Sequence, residues 1–99
     1  LNSIEQLNDN HLIESCVASH CRRFGKAYYF KGLGEIDIMY IKDKFLQAIE
    51  VKWSNKLKSN DLKMLKQFKN SIILGKSLND GFIGHIKSMP VYKFLYTLK

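Results

Sequence analysis

Between Glu35 and Trp53 the chain alternates apolar and polar residues, breaks once at the polar trio Lys42-Asp43-Lys44, and resumes an extended, apolar-rich run. Successive side chains of a strand point to opposite faces, so two such segments around a short polar turn read as a β-hairpin. If Asp43-Lys44 is a two-residue loop, Asp37 stands opposite Glu50 and Glu35 opposite Lys52. Leu46, Ala48, Glu50 and Lys52 then share the charged face, while Ile36, Ile38, Ile49 and Val51 gather on the other. An odd loop would break this segregation by placing Asp37 across from Ile49 or Val51.

The remaining elements arrange themselves around this hairpin. Ile13, Val17, Cys21 and Phe24 recur in steps of three and four, which predicts an amphipathic helix over residues 10–24, with Gly25 placed as its C-terminal cap. Residues 27–30 read as a short strand, followed by a turn through Gly32 and Gly34. After the hairpin, Ser59 or Asn60 can cap a helix that turns Leu62, Leu65 and Phe68 inward and Lys63, Lys66 and Lys69 away. Residues 71–74 and 82–86 read as two further strands, divided by a loop over 75–81. Pro90 fits the first turn of a closing helix with Val91, Phe94 and Leu95 on one side. The expected order is αβββαββα, one α/β domain of 99 residues with a mixed central sheet flanked by helices.

Composition narrows the partners. Sixteen Lys and Arg against nine Asp and Glu give a net charge of +7, which favours an anionic partner, nucleic acid above all, through counterion release. The chain opens at Leu1 without a basic segment followed by an apolar run, and has no apolar stretch near the ~20 residues of a membrane span. These features predict a soluble piece of a longer protein. Cys16 and Cys21 are five residues apart, about 140° around a helix, outside the usual disulfide and zinc spacings. Both are expected to be reduced and inert, with His20 packing rather than ligating, which points to a reducing compartment, the cytoplasm.

Two carboxylates directly opposed on a sheet repel each other, so Asp37 and Glu50 call for a cation between them. Magnesium, or manganese in its place, prefers oxygen ligands and is commonly held by one or two carboxylates next to a phosphate. Lys52, two residues past Glu50 and on the same face, can stabilise negative charge developing on phosphorus. The competing reading is a solvated cross-strand ion network of Glu35, Asp37, Glu50 and Lys52, which contributes little to stability.

The run Gly34-Glu35-Ile36-Asp37-Ile38-Met39, a short turn, and Ala48-Ile49-Glu50-Val51-Lys52-Trp53 resembles the core of the PD-(D/E)XK nuclease superfamily. Within it, the chain is most similar to the nuclease-like domain at the C-terminus of archaeal-type AAA+ ATPases. Leu12-Ile13-Glu14 with Val17-Ala18, Leu65 with Phe68, and the ending Met89-Pro90-Val91-Tyr92-Lys93-Phe94-Leu95 extend the likeness over about residues 10–97. The resemblance implies a restriction-endonuclease-like core and magnesium-dependent hydrolysis of DNA. It assigns Asp37 and Glu50 as metal ligands, Lys52 as the catalytic lysine, and Glu14 as the acidic residue supplied by the first helix. It also implies an AAA+ ATPase domain in the parent chain. The chain departs from the superfamily pattern at Ile36, where a Pro is usual, and at Ser71, where some branches place a Tyr after the Gln of the following helix.

For such an enzyme Lys56, Lys58, Lys63 and Lys66 are the expected contacts to the phosphate backbone. No aromatic ladder or reading helix suggests base recognition, so binding is expected to be structure-selective or nonspecific. The alternative is a non-catalytic DNA-binding or docking module of an AAA+ ATPase, and Tyr92 and Tyr96 offer a surface for oligomerisation. Gly75-Lys76-Ser77 looks like the end of a phosphate-binding P-loop, but that motif requires Gly where the chain has Asn70.

Overall fold

The computed structural model describes residues 2–29, 38–53, 59–76 and 80–98. Nine elements follow one another: α1 (Asn2–Arg22), β1 (Lys26–Tyr29), β2 (Ile38–Lys42), β3 (Phe45–Lys52), α2 (Ser59–Leu65), β4 (Ser71–Gly75), β5 (Gly81–Ile83), β6 (Ile86–Pro90) and α3 (Val91–Thr97). The strands form one mixed sheet in the order β1-β2-β3-β4-β6-β5. β1 pairs antiparallel with β2 and β2 with β3, β3 pairs parallel with β4 and β4 with β6, and β5 pairs antiparallel with β6. The expected α/β class with a mixed sheet between helices is the observed one.

The β2–β3 register is the one an even loop sets: Lys42 pairs with Phe45, Tyr40 with Gln47 and Ile38 with Ile49. Asp43 and Lys44 both take positive φ, 49° and 71°, as a two-residue hairpin turn of the I′ kind demands. Neither is glycine, so the turn holds two side chains in a region that L-residues disfavour.

Alternation then sorts the sheet into two cores. Ile38, Tyr40, Ile49, Val51, Ile72, Leu74 and Met89 join Val17, Ala18 and Cys21 of α1 and Val91 and Phe94 of α3 on one face. Ala48, Ile73 and Ile86 meet Leu65 of α2 on the other, with Leu62 and Phe68 packed at the margin. The first core spans the long-range packing of both outer helices, and α1 meets α3 where His20 Nε2 lies 3.1 Å from the Leu95 carbonyl oxygen.

Three expectations are corrected. Residues 82–86 are not one strand: Gly84, at φ 65°, and His85 turn the chain between β5 and β6, so three strands follow α2 and the order is αβββαβββα. Glycine tolerates this backbone without strain, and two short strands joined by a tight turn mimic one run in the sequence. Pro90 closes β6 opposite Gly75 in extended conformation and stands before α3 rather than within its first turn. α2 ends at Leu65, and Phe68 reaches the core through tighter turns, with the N–H groups of Gln67 and Phe68 donating to Met64 and Leu65 carbonyls.

Gly25 follows α1 and its N–H donates to the Cys21 carbonyl. Its glycine identity comes from crowding: a Cβ there would stand 2.5 Å from the Ile41 carbonyl oxygen. The chain can turn from α1 into β1 this close to β2 only without a side chain.

Candidate functional site

β3 is the central strand from which the site is built. Ile49 and Val51 point into the larger core, so alternation turns Ala48, Glu50 and Lys52 toward α2. Parallel pairing sets Glu50 beside Ile73 and Lys52 beside Gly75 of β4, and β4 in turn sets Ile73 beside Ser88 and Gly75 beside Pro90 of β6. Glu50 is only 1% exposed. Its Oε1 lies 3.3 Å from Lys52 Nζ, whose side chain retains 22% exposure. A carboxylate this deep is costly to desolvate and is kept only where cations or hydrogen bonds compensate it. The solvated ion network considered from the sequence does not describe this carboxylate.

Asp37 and Glu35, the expected partners across the hairpin, lie outside the described residues, as do Lys56 and Lys58 of the expected phosphate-binding set. Glu14 sits on α1, with its side chain 17% exposed and 3.8 Å from His11 Nδ1. Its level along the sheet follows from its neighbour: the Tyr29 hydroxyl donates to Ser15 Oγ at 3.5 Å, and Tyr29 pairs with Ile38 at the start of β2. Glu14 therefore stands at the end of the sheet where β2 begins and β3 approaches its carboxyl terminus. It comes from the α1 side, opposite the face that carries Glu50. Among the described residues no three His, Cys, Asp or Glu side chains converge as a metal-binding group.

Lys63 and Lys66 are exposed around the end of α2, off the side that buries Leu65, as the helical spacing requires. A further cation escaped the sequence reading. Lys76 follows β4, and its ammonium lies 5.6 Å from the centre of the Trp53 ring, one residue past Lys52. The signal was the Gly75-Lys76 pair, which has a place at the site only once β3 and β4 are known to run parallel with Lys52 beside Gly75.

Two groups with shifted pKa values, Cys21 and Tyr40, belong to the core beneath α1. Burial pushes the Cys21 thiol up to about 12. Burial, then the neighbouring Cys21 and Asp43, raise the Tyr40 phenol above its ordinary value. Cys16 and Cys21 are both free thiols, Cys16 exposed and Cys21 buried. His20 packs on Phe24, with ring centres 5.7 Å apart.

The carboxyl ends of β3, β4 and β6 thus collect a buried carboxylate, its lysine, and a second lysine held against an indole. Open α/β sheets characteristically bind ligands outside the carboxyl ends of their parallel strands. No described helix is long and apolar enough to cross a membrane. In comparisons with known proteins, the model of one family, described as Domain of unknown function (DUF4143), matches residues 9–93. No curated protein and no solved structure matches the chain.

Proposed function

The chain belongs to the DUF4143 family, and from that premise and the carboxyl edge of β3 we propose that it is a magnesium-dependent nuclease-like domain acting on DNA phosphodiesters. The observation that carries this reading is Glu50, a carboxylate 1% exposed with the Lys52 ammonium 3.3 Å away. The donor chemistry fits the ion, because a carboxylate oxygen is the ligand type that magnesium and manganese take. The sequence reading adds Asp37 as the second ligand, opposite Glu50 if the hairpin loop is even, and Glu14 as a third candidate from α1. In this reading Asp37 and Glu50 hold the ion, whereas Glu14, on the α1 side of the sheet, is not brought beside Glu50.

When bound, the ion supplies a lowered pKa for a water molecule and charge for the phosphoryl oxygens. Lys52 then places a positive charge where the transition state gathers negative charge, an interaction stronger in the transition state than in the ground state. Lys56, Lys58, Lys63 and Lys66 hold the phosphate backbone without reading bases.

A second reading, a non-catalytic DNA-binding or docking module of an AAA+ ATPase, draws on the family, which is often found with ATPases. The test that separates them is cleavage of single-stranded, duplex and branched DNA with magnesium or manganese. The nuclease reading expects wild-type cleavage that Asp37→Ala and Lys52→Ala each largely remove, with ion binding lost only in the former. Cleavage that persists in Lys52→Ala overturns the assigned mechanism. Ion binding without cleavage of any substrate favours the docking module.

A further inference from the structure

We propose that the opposite end of the same sheet, where β3 begins, is a docking edge for single-stranded DNA, with the Phe45 ring as its base-stacking platform. Only the choice of DNA over RNA rests on the proposed function. Phe45 and Lys52 are the two ends of β3, roughly 23 Å apart at about 3.3 Å per residue, so this edge is separate from the Glu50 site.

Two open hollows flank Phe45. The first, about 360 Å³ in volume, takes its walls from Tyr40, Lys42, Gln47 and Asn70. The second, about 300 Å³, lies among Lys44, Leu46, Phe68 and Lys69. Phe45 and Asn70 line both. Alternation explains the division: Phe45 and Gln47 pair with Lys42 and Tyr40 on the face of the larger core, whereas Leu46 shares the other face with Ala48, beside the core that Phe68 joins. The hollows thus sit on opposite faces of one sheet end, with the ring between them.

A ring that is 69% exposed is ordinary for one side chain and carries nothing alone. What distinguishes Phe45 is the space on either side of it and the charge at the rims. Lys42, Lys44 and Lys69 stand against Asp43, the one carboxylate that lines either hollow. Lys44 and Lys69 are exposed and form no ion pair among the described residues, while the Lys42 ammonium lies 5.7 Å from the Phe24 ring centre. Asn70 is held by its backbone, whose carbonyl accepts the Ala48 N–H at 3.0 Å, and Gln47 by its pairing with Tyr40. Each side-chain amide brings two N–H donors and a carbonyl acceptor, the groups that meet base edges.

The ligand follows from this combination. An aromatic platform flanked by lysines suits unpaired bases on a phosphate backbone, one base in each hollow, and stacking is tolerant of sequence. In a duplex the base faces are already stacked on one another and closed to the ring. An anionic bilayer would meet Phe45, Leu46 and the lysines, but leaves the hollows and the two amides without a role.

The experiment measures binding of labelled oligodeoxythymidylate and of a duplex of the same length by fluorescence anisotropy, in EDTA and across a salt series. The proteins are wild type, Phe45→Leu, Phe45→Trp, Lys44→Gln/Lys69→Gln and Lys63→Ala/Lys66→Ala, each shown to be folded by a thermal melt. Wild type should prefer the single strand. Phe45→Leu should weaken single-strand binding roughly 5- to 100-fold without changing the slope of log affinity against log salt, and Phe45→Trp should restore it. Lys44→Gln/Lys69→Gln should make that slope shallower by about 1.4, two phosphate contacts.

Single-strand affinity unchanged in Phe45→Leu, no wild-type preference for the single strand, or a loss confined to Lys63→Ala/Lys66→Ala overturns the proposal. So does binding to phosphatidylserine vesicles without binding to either oligonucleotide. Cleavage is assayed separately with magnesium, which keeps the two readings apart. The expected binding pattern without cleavage supports this edge and removes only the hydrolytic reading, whereas cleavage with unchanged binding in Phe45→Leu overturns this edge and leaves the Glu50 site standing.

Discussion

Glu50 is the most costly side chain in the sheet to bury, because folding alone does not favour a carboxylate at 1% exposure on a central strand. Lys52 compensates it from two positions along the same face, and its own partial exposure places the pair between the surface and buried limits. Lys52→Ala should therefore cost about 2 kcal/mol of stability in EDTA, more than a surface pair and less than a fully buried one. Adding magnesium or manganese should recover much of that loss if a dication shares the carboxylate. Urea unfolding with and without the ion measures both. At the opposite face, Cys21 is held as the neutral thiol, its pKa about 12 against an ordinary value of 9.0. A raised folded pKa contributes stability that is full below the unfolded value, so this contribution should hold up to about pH 9 and fall as pH rises toward 12. Cys21→Ala should flatten that part of the alkaline limb. In the native state at neutral pH a thiol reagent should label Cys16 alone, and both cysteines after unfolding.

Among the elements, the hairpin was the most legible, because a one-residue slip would have exchanged its charged and apolar faces. Ile38, Ile49 and Val51 fall in the larger core and Glu50 with Lys52 on the other side, as the alternation requires. The turn itself carries a local cost, since Lys44 sits at φ 71° with a side chain. Lys44→Gly should stabilise the domain by about 0.5 to 1 kcal/mol, its relief of αL strain partly offset by the freer unfolded chain. A chemical melt reads this directly, and a loss of stability would mean that the Lys44 side chain contributes more than its backbone costs. The β5–β6 hairpin was not legible. Its strands are short, and a single Gly84 inside an apolar stretch is as compatible with a bulge as with a turn. Gly25 fits the sequence pattern of a helix cap, whereas its decisive constraint, the Ile41 carbonyl, lies 16 residues away in sequence and becomes visible only when β1 and β2 pair.

On the scale of the molecule, sequence periodicity led to the class, the two-sided sheet and the face of each charged strand residue, because all three follow from local alternation. The site was legible only along β3. What places Lys76 and Trp53 beside it is the parallel crossover from β3 through α2 to β4, a long-range pairing that no local pattern encodes. The proposed divalent-cation site at the carboxyl end of β3 is tested most directly by the thermal midpoint titrated with magnesium and with manganese. Wild type should show a saturable rise, as expected when an ion binds the folded state alone, and Glu50→Gln and Asp37→Asn should each abolish it while remaining folded. A wild-type midpoint that does not respond to either ion, or a rise that both variants retain, would rule out an ion held by Glu50 and Asp37.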